Sequence, residues 1–497
     1  MGLGGWMLQE PYMLQTSGFT VTQKDIRQKI SDLIGDEKTE DFYNAWYANH
    51  ARKIDIDSLK AWGFNSVRLP MHYNLYTLSI EEEPVQGENT WLKEGFAMTD
   101  SLLNWCKSNQ MYLILDLHGA PGGQGKNASI SDYDITKPSL WESEANKQKT
   151  IALWKKLAEH YANEPWIGGY DLLNEPNWTF ENKSENGCDD TCNAPIWNIY
   201  KEITSVIRTV DKNHIIFVEG NCWSQNILGF SGPWDDNMSL SFHKYWTPTD
   251  FESLEKFLEI RSKYNIPLWM GESGENSNEW FRRAIELFEQ NEIGWAWWPM
   301  KKIGSIVGPL TIVKTPEYQQ LLDYWRGKAP APNTETAYKT LMDIADGLKL
   351  ENCTYHPDVI DAMFRQQKSE NSIPFTKNEI PGIIRAVDFD LGVHEIAYSD
   401  SDYMNTGVNR QTGGNRGGAY RNDGVDIRLD DGLKNDFYVT KTEDGEWMKY
   451  TVYVLKSGNY DVSAEVSPGE KKGGIQILFN DQKEGLTLII PEGKRAG

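Results

Sequence analysis

No apolar run in this chain approaches the roughly 18 residues that a membrane-crossing helix needs, so no membrane span is expected. Positive charge is short: 50 Lys and Arg stand against 72 Asp and Glu, a net charge of −22. That balance argues against nucleic acid or an anionic membrane surface as partner and suits a neutral substrate. Cysteine is scarce as well, five in 497 residues. Cys188 and Cys192 share the polar loop Asn186-Gly-Cys-Asp-Asp-Thr-Cys-Asn193 and would form a local disulfide in an exported chain. No second pair of Cys or His follows at ligand spacing, which speaks against zinc. The start, Met1-Gly-Leu-Gly-Gly-Trp6, has neither the charged n-region nor the apolar h-region of a signal peptide.

Tryptophan, by contrast, is plentiful. Twenty Trp and 23 Tyr supply flat amphipathic rings, which stack on sugar faces as readily as they fill cores. The length accommodates two or three domains, or one large barrel with an appendage.

Strand-like and helix-like stretches alternate over the first 300 residues. Gly2-Leu-Gly-Gly-Trp-Met-Leu8 reads as an opening strand, and Phe64-Asn-Ser-Val-Arg-Leu-Pro70 as a second after a polar stretch and a helix ended by Gly63. Met111-Tyr-Leu-Ile-Leu-Asp-Leu-His118 follows a helix expected to be capped by Thr99, and its unbroken apolar run is that of a strand buried on both faces. Trp166-Ile-Gly-Gly-Tyr-Asp-Leu-Leu173 is the fourth strand and stops at Asn174-Glu175-Pro176, because proline cannot extend a ladder. His214 to Gly220, Leu240 to Trp246, Pro267 to Ser273 and Gly294 to Pro299 complete eight, separated by helices such as the Ile196, Ile199, Ile203, Ile207 face behind Pro195. Eight strands alternating with helices predict an α/β chain with a (β/α)8 TIM barrel over residues 1–350. An open doubly wound sheet is the runner-up, but no glycine-rich phosphate loop follows the first strand. Residues 351–379 read as a connecting segment. Beyond them turn signals recur and Glu446-Trp-Met-Lys-Tyr-Thr-Val-Tyr-Val454 alternates, so 380–497 is expected to be a β-sandwich of jelly-roll type.

Barrel enzymes keep their chemistry at the C-terminal strand ends. Here those ends carry Arg68, His118, Asn174, Glu175, His243, Tyr245, Glu272 and Trp298. Any one could be structural, a salt-bridged Glu or a core Trp, but packing alone would not select six such strand ends of eight. Two glutamates on the fourth and seventh strands would face each other across the mouth. Paired carboxyls flanking one bond suit glycosidic cleavage, which needs a proton donor and a nucleophile or base. Asn174 would bind the sugar 2-OH, while Arg68 and Tyr245 would hold Glu272 ionised and Glu175 would stay protonated.

The barrel resembles glycoside hydrolase family 5 through Phe64-Asn-Ser-Val-Arg-Leu-Pro70, Leu115-Asp-Leu-His-Gly-Ala-Pro-Gly122, Leu173-Asn-Glu-Pro176, His243-Lys-Tyr245, Gly271-Glu-Ser273 and Trp298, in family order. The resemblance implies a retaining β-glycosidase with Glu175 as acid/base and Glu272 as nucleophile. Arg68, His118, Asn174, His243, Tyr245 and Trp298 would surround the cleaved subsite as substrate-binding residues. Gly4-Gly-Trp-Met-Leu-Gln-Glu-Pro-Tyr12 is similar to the β-1,3-glucanase branch, whereas Trp295-Ala-Trp-Trp-Pro-Met-Lys301 matches it only in part. A β-glucan substrate with β-1,4, β-1,3 or mixed linkage is expected; a mannanase, a transglycosylase or a non-catalytic glycan-binding protein are the alternatives. The C-terminal region resembles carbohydrate-binding module family 6 through Ile380-Pro-Gly-Ile-Ile-Arg-Ala-Val-Asp-Phe-Asp390, Tyr420-Arg-Asn-Asp-Gly-Val-Asp-Ile427 and Asp444-Gly-Glu-Trp-Met-Lys-Tyr-Thr-Val452. It would bind sugar on Tyr420. The chain stops at Gly497, before that module's last strands, so an incomplete module is expected. The module's structural calcium would lack a ligand, since Val387 stands where a glutamate is usual. No other cofactor, no metal in the barrel, a monomer and an extracellular or cell-surface location are expected.

Overall fold

The computed structural model describes residues 1–404, 419–430, 436–467, 472–480, 482, 485–490, 492 and 493. Among these, seven parallel strands lie in sequence order: β1 Ser66–His72, β2 Tyr112–Gly119, β3 Ile167–Asp171, β4 Ile215–Glu219, β5 Met238–Lys244, β6 Leu268–Ser273 and β7 Gly294–Trp295. The expected opening strand does not form as a ladder. Residues Met1 to Leu3 nevertheless bond both edges of the sheet: Gly2 N–H donates to Trp297 O (2.7 Å), Arg68 N–H to Met1 O (2.9 Å) and Leu3 N–H to Arg68 O (3.1 Å). The sheet is barrel-like, with that segment at the eighth position. Extension stops there because Gly4 lies against the Trp298 ring, where a Cβ would come within 2.4 Å, and Trp6 N–H turns back to Leu3 O.

The strands are buried on both faces, as unalternating parallel strands must be. Helices cover the outside; in Ala194–Arg208, Pro195 sits in the first turn and Ile196, Ile199, Ile203 and Ile207 face inward. The stretch passed over as polar in the sequence holds two helices, Gln23–Ile34 and Asp36–His50. Thr22 starts the first through a capping box with Asp25. Phe42, Tyr43 and Trp46 of the second are buried against Leu341 and Ile344 of helix Thr334–Gly347. Thr99 is no cap: it lies inside helix Lys93–Ser108, where its hydroxyl bonds Gly95 O at 2.8 Å and Tyr76 OH at 2.6 Å.

Two compact units are present. One comprises 1–375 together with 386–450; the other comprises 376–385 with 451–497. Residues 386–450, expected to belong to a separate C-terminal domain, thus group with the barrel. In the first unit they contribute the antiparallel pairs β8 Tyr398–Ser399 with Trp447–Met448, and Ile427–Asp430 with Asp436–Val439. The second unit holds a parallel pair, Asn378–Ile380 with Val452–Val454, and an antiparallel pair, Gly473–Ile477 with Leu486–Ile490. The C-terminal region is strand-rich, and its strands pair two by two among the described residues. No helix among the described residues is long and apolar enough to cross a membrane.

Candidate active site

Buried carboxylates set the character of the barrel mouth. Arg68 of β1 is enclosed and serves as a hub. Its Nε and Nη2 donate to Asp171 Oδ2 (3.0 and 2.8 Å), Nη2 also reaches Asn174 Oδ1 (2.8 Å) and Glu219 Oε1 (3.2 Å), and Nη1 donates to Glu272 Oε2 (2.8 Å). Asp116 Oδ2 lies 3.2 Å from Nη1. One planar guanidinium thereby fixes groups from four other strands or their ends, which suits its rigid fork of donors.

Glu272, near the end of β6, has both oxygens engaged, the second accepting from Tyr245 OH at 2.8 Å. Register explains its neighbours. A bulge between Phe242 and His243 shifts the β5–β6 pairing so that His243 lies directly opposite Glu272. His243 Nδ1 bonds Glu175 Oε1 at 2.7 Å, and its Nε2 lies 3.2 Å from Glu219 Oε1.

Glu175 follows β3 with φ of 46°, a left-handed conformation uncommon for a side chain of this size. Its N–H donates to Glu219 Oε2 at 2.7 Å, and Asn177 Nδ2 donates to its carbonyl at 2.8 Å. Burial, above all, raises the Glu175 carboxyl above its ordinary value; the charges of Glu272 and Glu219 add to this against the pull of His243. Glu219 goes the other way. Burial would raise it, but His243, Arg68 and the Ser224 hydroxyl bring it down to about 2. Burial opposes a charge on His243 too, yet Glu219, Glu272 and Glu175 together hold its proton well above the usual range.

On the other side, His118 of β2 bonds Asp116 through Nδ1 (2.8 Å), with Asn174 Nδ2 3.2 Å and Glu10 Oε1 3.4 Å from Nε2. Despite burial these carboxylates push His118 up to about 10. Burial raises Glu10 itself to about 7. The Trp298 ring stacks on His118 (5.3 Å, 3°) and its Nε1–H donates to Tyr12 OH at 2.6 Å.

The eight strand-end residues nominated from the sequence therefore converge. Tyr420 does not join them: it packs on Phe437 and bonds Asp388 through its hydroxyl, so its ring is half-buried. Val387 is wholly buried in an apolar cluster with Phe389, Ala397 and Ile427, and its side chain carries no oxygen. Sequence reasoning passed over Glu10, Asp116, Asp171, Glu219 and Gln124, whose Nε2 ties the carbonyls of His118 (2.7 Å) and Asn174 (2.8 Å) together. Two of them carried a signal: Asp116 and Asp171 each interrupt a stretch that is otherwise apolar, whereas Glu219 only closes one.

Within the cluster Arg68, Asn174 and Glu219 are 0–1% exposed, whereas Glu175 and Glu272 retain 6% and 7%, so these two carboxyls front the opening. One oxygen of each, with a His243 nitrogen, lies within 4.8 Å of the others. That trio has donors a cation could use, but its members already bond within the cluster.

The loop after β3 follows directly on Glu175. The expected Cys188–Cys192 bridge is corrected: Cys188 pairs with Cys222, and Cys192 is free and exposed. Adjacent strands bring this about, since the β4 loop turns back through left-handed Cys222, Trp223 and Ser224 onto the β3 loop. Asn221 Nδ2 bonds Trp178 O and Asn193 Oδ1, both at 2.8 Å, and Asn226 Nδ2 bonds Gly187 O (2.8 Å) and Asp190 O (2.7 Å).

A family model described as Cellulase (glycosyl hydrolase family 5) matches residues 25–303, more than half of the chain. Among curated proteins the chain is similar to a Beta-xylosidase of Phanerodontia chrysosporium, 27% identical over 340 residues that cover 61% of this chain and 67% of that one. It is similar to Endoglucanase C of Acetivibrio thermocellus, 24% identical over 314 residues, 50% of this chain and 83% of that one. A Glucan 1,3-beta-glucosidase of Candida oleophila is 27% identical over 190 residues, 35% of this chain and 41% of that one.

Proposed function

From a chain that belongs to glycosyl hydrolase family 5 and is a glycosidase of O-glycosyl bonds, we propose a retaining hydrolase of β-glucans working by double displacement. The carrying observation is the closeness of Glu175 and Glu272, with one carboxylate oxygen of each within 4.8 Å of the other. Retaining sites place the two carboxyls about 5–5.5 Å apart, leaving room for a sugar but not for an intervening water; inverting sites need roughly 6.5–9.5 Å.

In the first step Glu272 attacks the anomeric carbon, held by Arg68 and Tyr245 on its two oxygens. Glu175, whose carboxyl burial raises above its ordinary value, gives its proton to the leaving oxygen. In the second step Glu175 takes a proton from water, which cleaves the glycosyl–Glu272 ester. Asn174, fixed by Arg68, would meet the 2-OH. His118 stacked on Trp298, with Tyr245, would shape the subsite. The relatives' names divide between xyloside, endo-glucan and 1,3-glucan substrates. The pinned loop beside Glu175 supports short chains or chain ends as substrate, and the Cys188–Cys222 disulfide supports an oxidising, extracytoplasmic location. The C-terminal strands are proposed as a module of the jelly-roll, sugar-binding type.

The test is incubation with laminarin, mixed-linkage glucan, carboxymethylcellulose and mannan, with NMR of the first-formed anomer on the best substrate. A β product that mutarotates later, absent in Glu272→Gln, is expected. An α product first would overturn the retaining reading, and cleavage of mannan alone would overturn the substrate.

A further inference from the structure

The loop leaving Glu272 is gripped from outside the barrel. Gly274, with φ of 147°, and Glu275, with φ of 53°, carry the chain off β6 to Asn276 and to Ser277, which caps helix Asn278–Gln290. A Cβ on Gly274 would come within 2.1 Å of Trp298 O, and Trp298 N–H donates to Ser273 O at 2.6 Å, so this loop and the Trp298 segment run in contact. Asn422, from the 386–450 stretch, reaches in from the other side. Its Nδ2 donates to Asn276 O (2.7 Å) and Asn278 Oδ1 (3.0 Å), its N–H donates to Asp358 Oδ2 (2.8 Å), and its carbonyl accepts from Asn278 N–H (2.9 Å). Asn278 Nδ2 completes the set with Asp358 Oδ2 (2.8 Å) and Asp423 Oδ1 (2.9 Å). All five residues are buried.

A surface that merely covered the barrel would need apolar contact, which has no direction. A connected, buried polar set fixes one arrangement, because each displaced member leaves another unsatisfied. We propose that Asn422 is a positioning residue: by holding the Asn276 carbonyl it fixes the Gly274–Asn276 rim, and with it the mutual placement of Glu272 and Trp298. Residues 386–450 are then part of the catalytic fold. The proposal rests on the role assigned to Glu272 above.

Asn422→Asp keeps size and backbone but turns the donor that faces two oxygens into an acceptor, beside Asp358 and Asp423. Its kcat on the best β-glucan is expected to fall about tenfold at neutral pH, since ångström-scale misplacement costs up to about a hundredfold. KM should stay within about twofold, and the loss relative to wild type should shrink in acid, where the new carboxyl regains a proton to donate. Tyr403→Phe is the control. It removes the Arg283–Tyr403 bond (3.0 Å) of the same docked stretch, in which none of the five networked residues takes part, and should keep wild-type kcat. Where Asn422→Asp does not fold, Asn422→Ala decides, with amide exchange at 274–277 expected to accelerate ahead of the rest of the barrel. Wild-type kcat in the folded Asn422 variant at every pH, unchanged exchange at 274–277, or an equal loss in Tyr403→Phe would overturn the inference. An inactive wild type would count against the function proposal instead, and exchange would still decide this one.

Discussion

Four carboxylates pair with Arg68, and Glu175 is not among them. That division explains the proposed roles. Glu272 shares the guanidinium, whereas Glu175 has a histidine that Glu219 also claims, and burial raises its carboxyl above the ordinary value. A carboxyl raised above its ordinary value can donate until pH passes the raised value, so kcat/KM should fall on an alkaline limb lying above the usual carboxylate range. Glu175→Gln should abolish that limb and lower kcat by about 10²–10⁴-fold on substrates with poor leaving groups; an unchanged alkaline limb in a pH–rate series would remove Glu175 from the role. Glu219 gives the opposite signature. Its folded value, about 2 against an ordinary 4.5, means that it contributes stability above pH 4.5 which is lost as pH falls towards 2. Glu219→Gln should therefore be less stable at neutral pH and show a flatter acid decline, read by denaturant titration at several pH values. Glu175 and Glu272 were legible as strand-end glutamates. Glu219 was not, because an acid closing an apolar run looks the same whether it faces the barrel axis or a helix.

Strands announced themselves through apolar runs, and their order followed from alternation with helices. What escaped were elements whose local signal is weak. Helix Asp36–His50 opens on a charged turn and a half, Asp36 to Asp41, and buries only Phe42, Tyr43 and Trp46 as large rings, so it reads as a loop until its partner helix Thr334–Gly347 is known. The disulfide escaped for a similar reason: Cys192 is nearer to Cys188 in sequence, but only the β3–β4 adjacency brings Cys222 there. Closing a loop of 34 residues corresponds to about 3–4 kcal/mol in chain-entropy terms. Cys222→Ser should lower the melting temperature and free the β3 loop, with a rise in KM where that loop meets substrate. Cys192→Ser should melt as wild type. A calorimetric scan of the two variants distinguishes them, and equal destabilisation would contradict the observed pairing.

For the molecule as a whole, the compact unit shared by 1–375 and 386–450 predicts unequal truncations. Ending the chain at Phe375 strips Asp358 and Asn278 of their bonds to Asn422 and Asp423, a net loss of about 0.5–1.5 kcal/mol for each bond. Ending it at Tyr450 retains those bonds. Calorimetry should show the first truncation melting well below the second, with 386–450 and the barrel unfolding in one transition; matching melting temperatures would mean that the docked stretch is passive.

The left-handed backbone at Glu175 has a consequence for how such a chain drifts. A glutamate held at φ of 46° is conformationally costly, and glycine would occupy the same angle without penalty. Glu175→Gly should thus lose turnover while melting no lower than wild type, or higher. Selection for thermal tolerance alone would favour inactive descendants at this codon, so a stabilisation campaign on this scaffold needs an activity screen at every round.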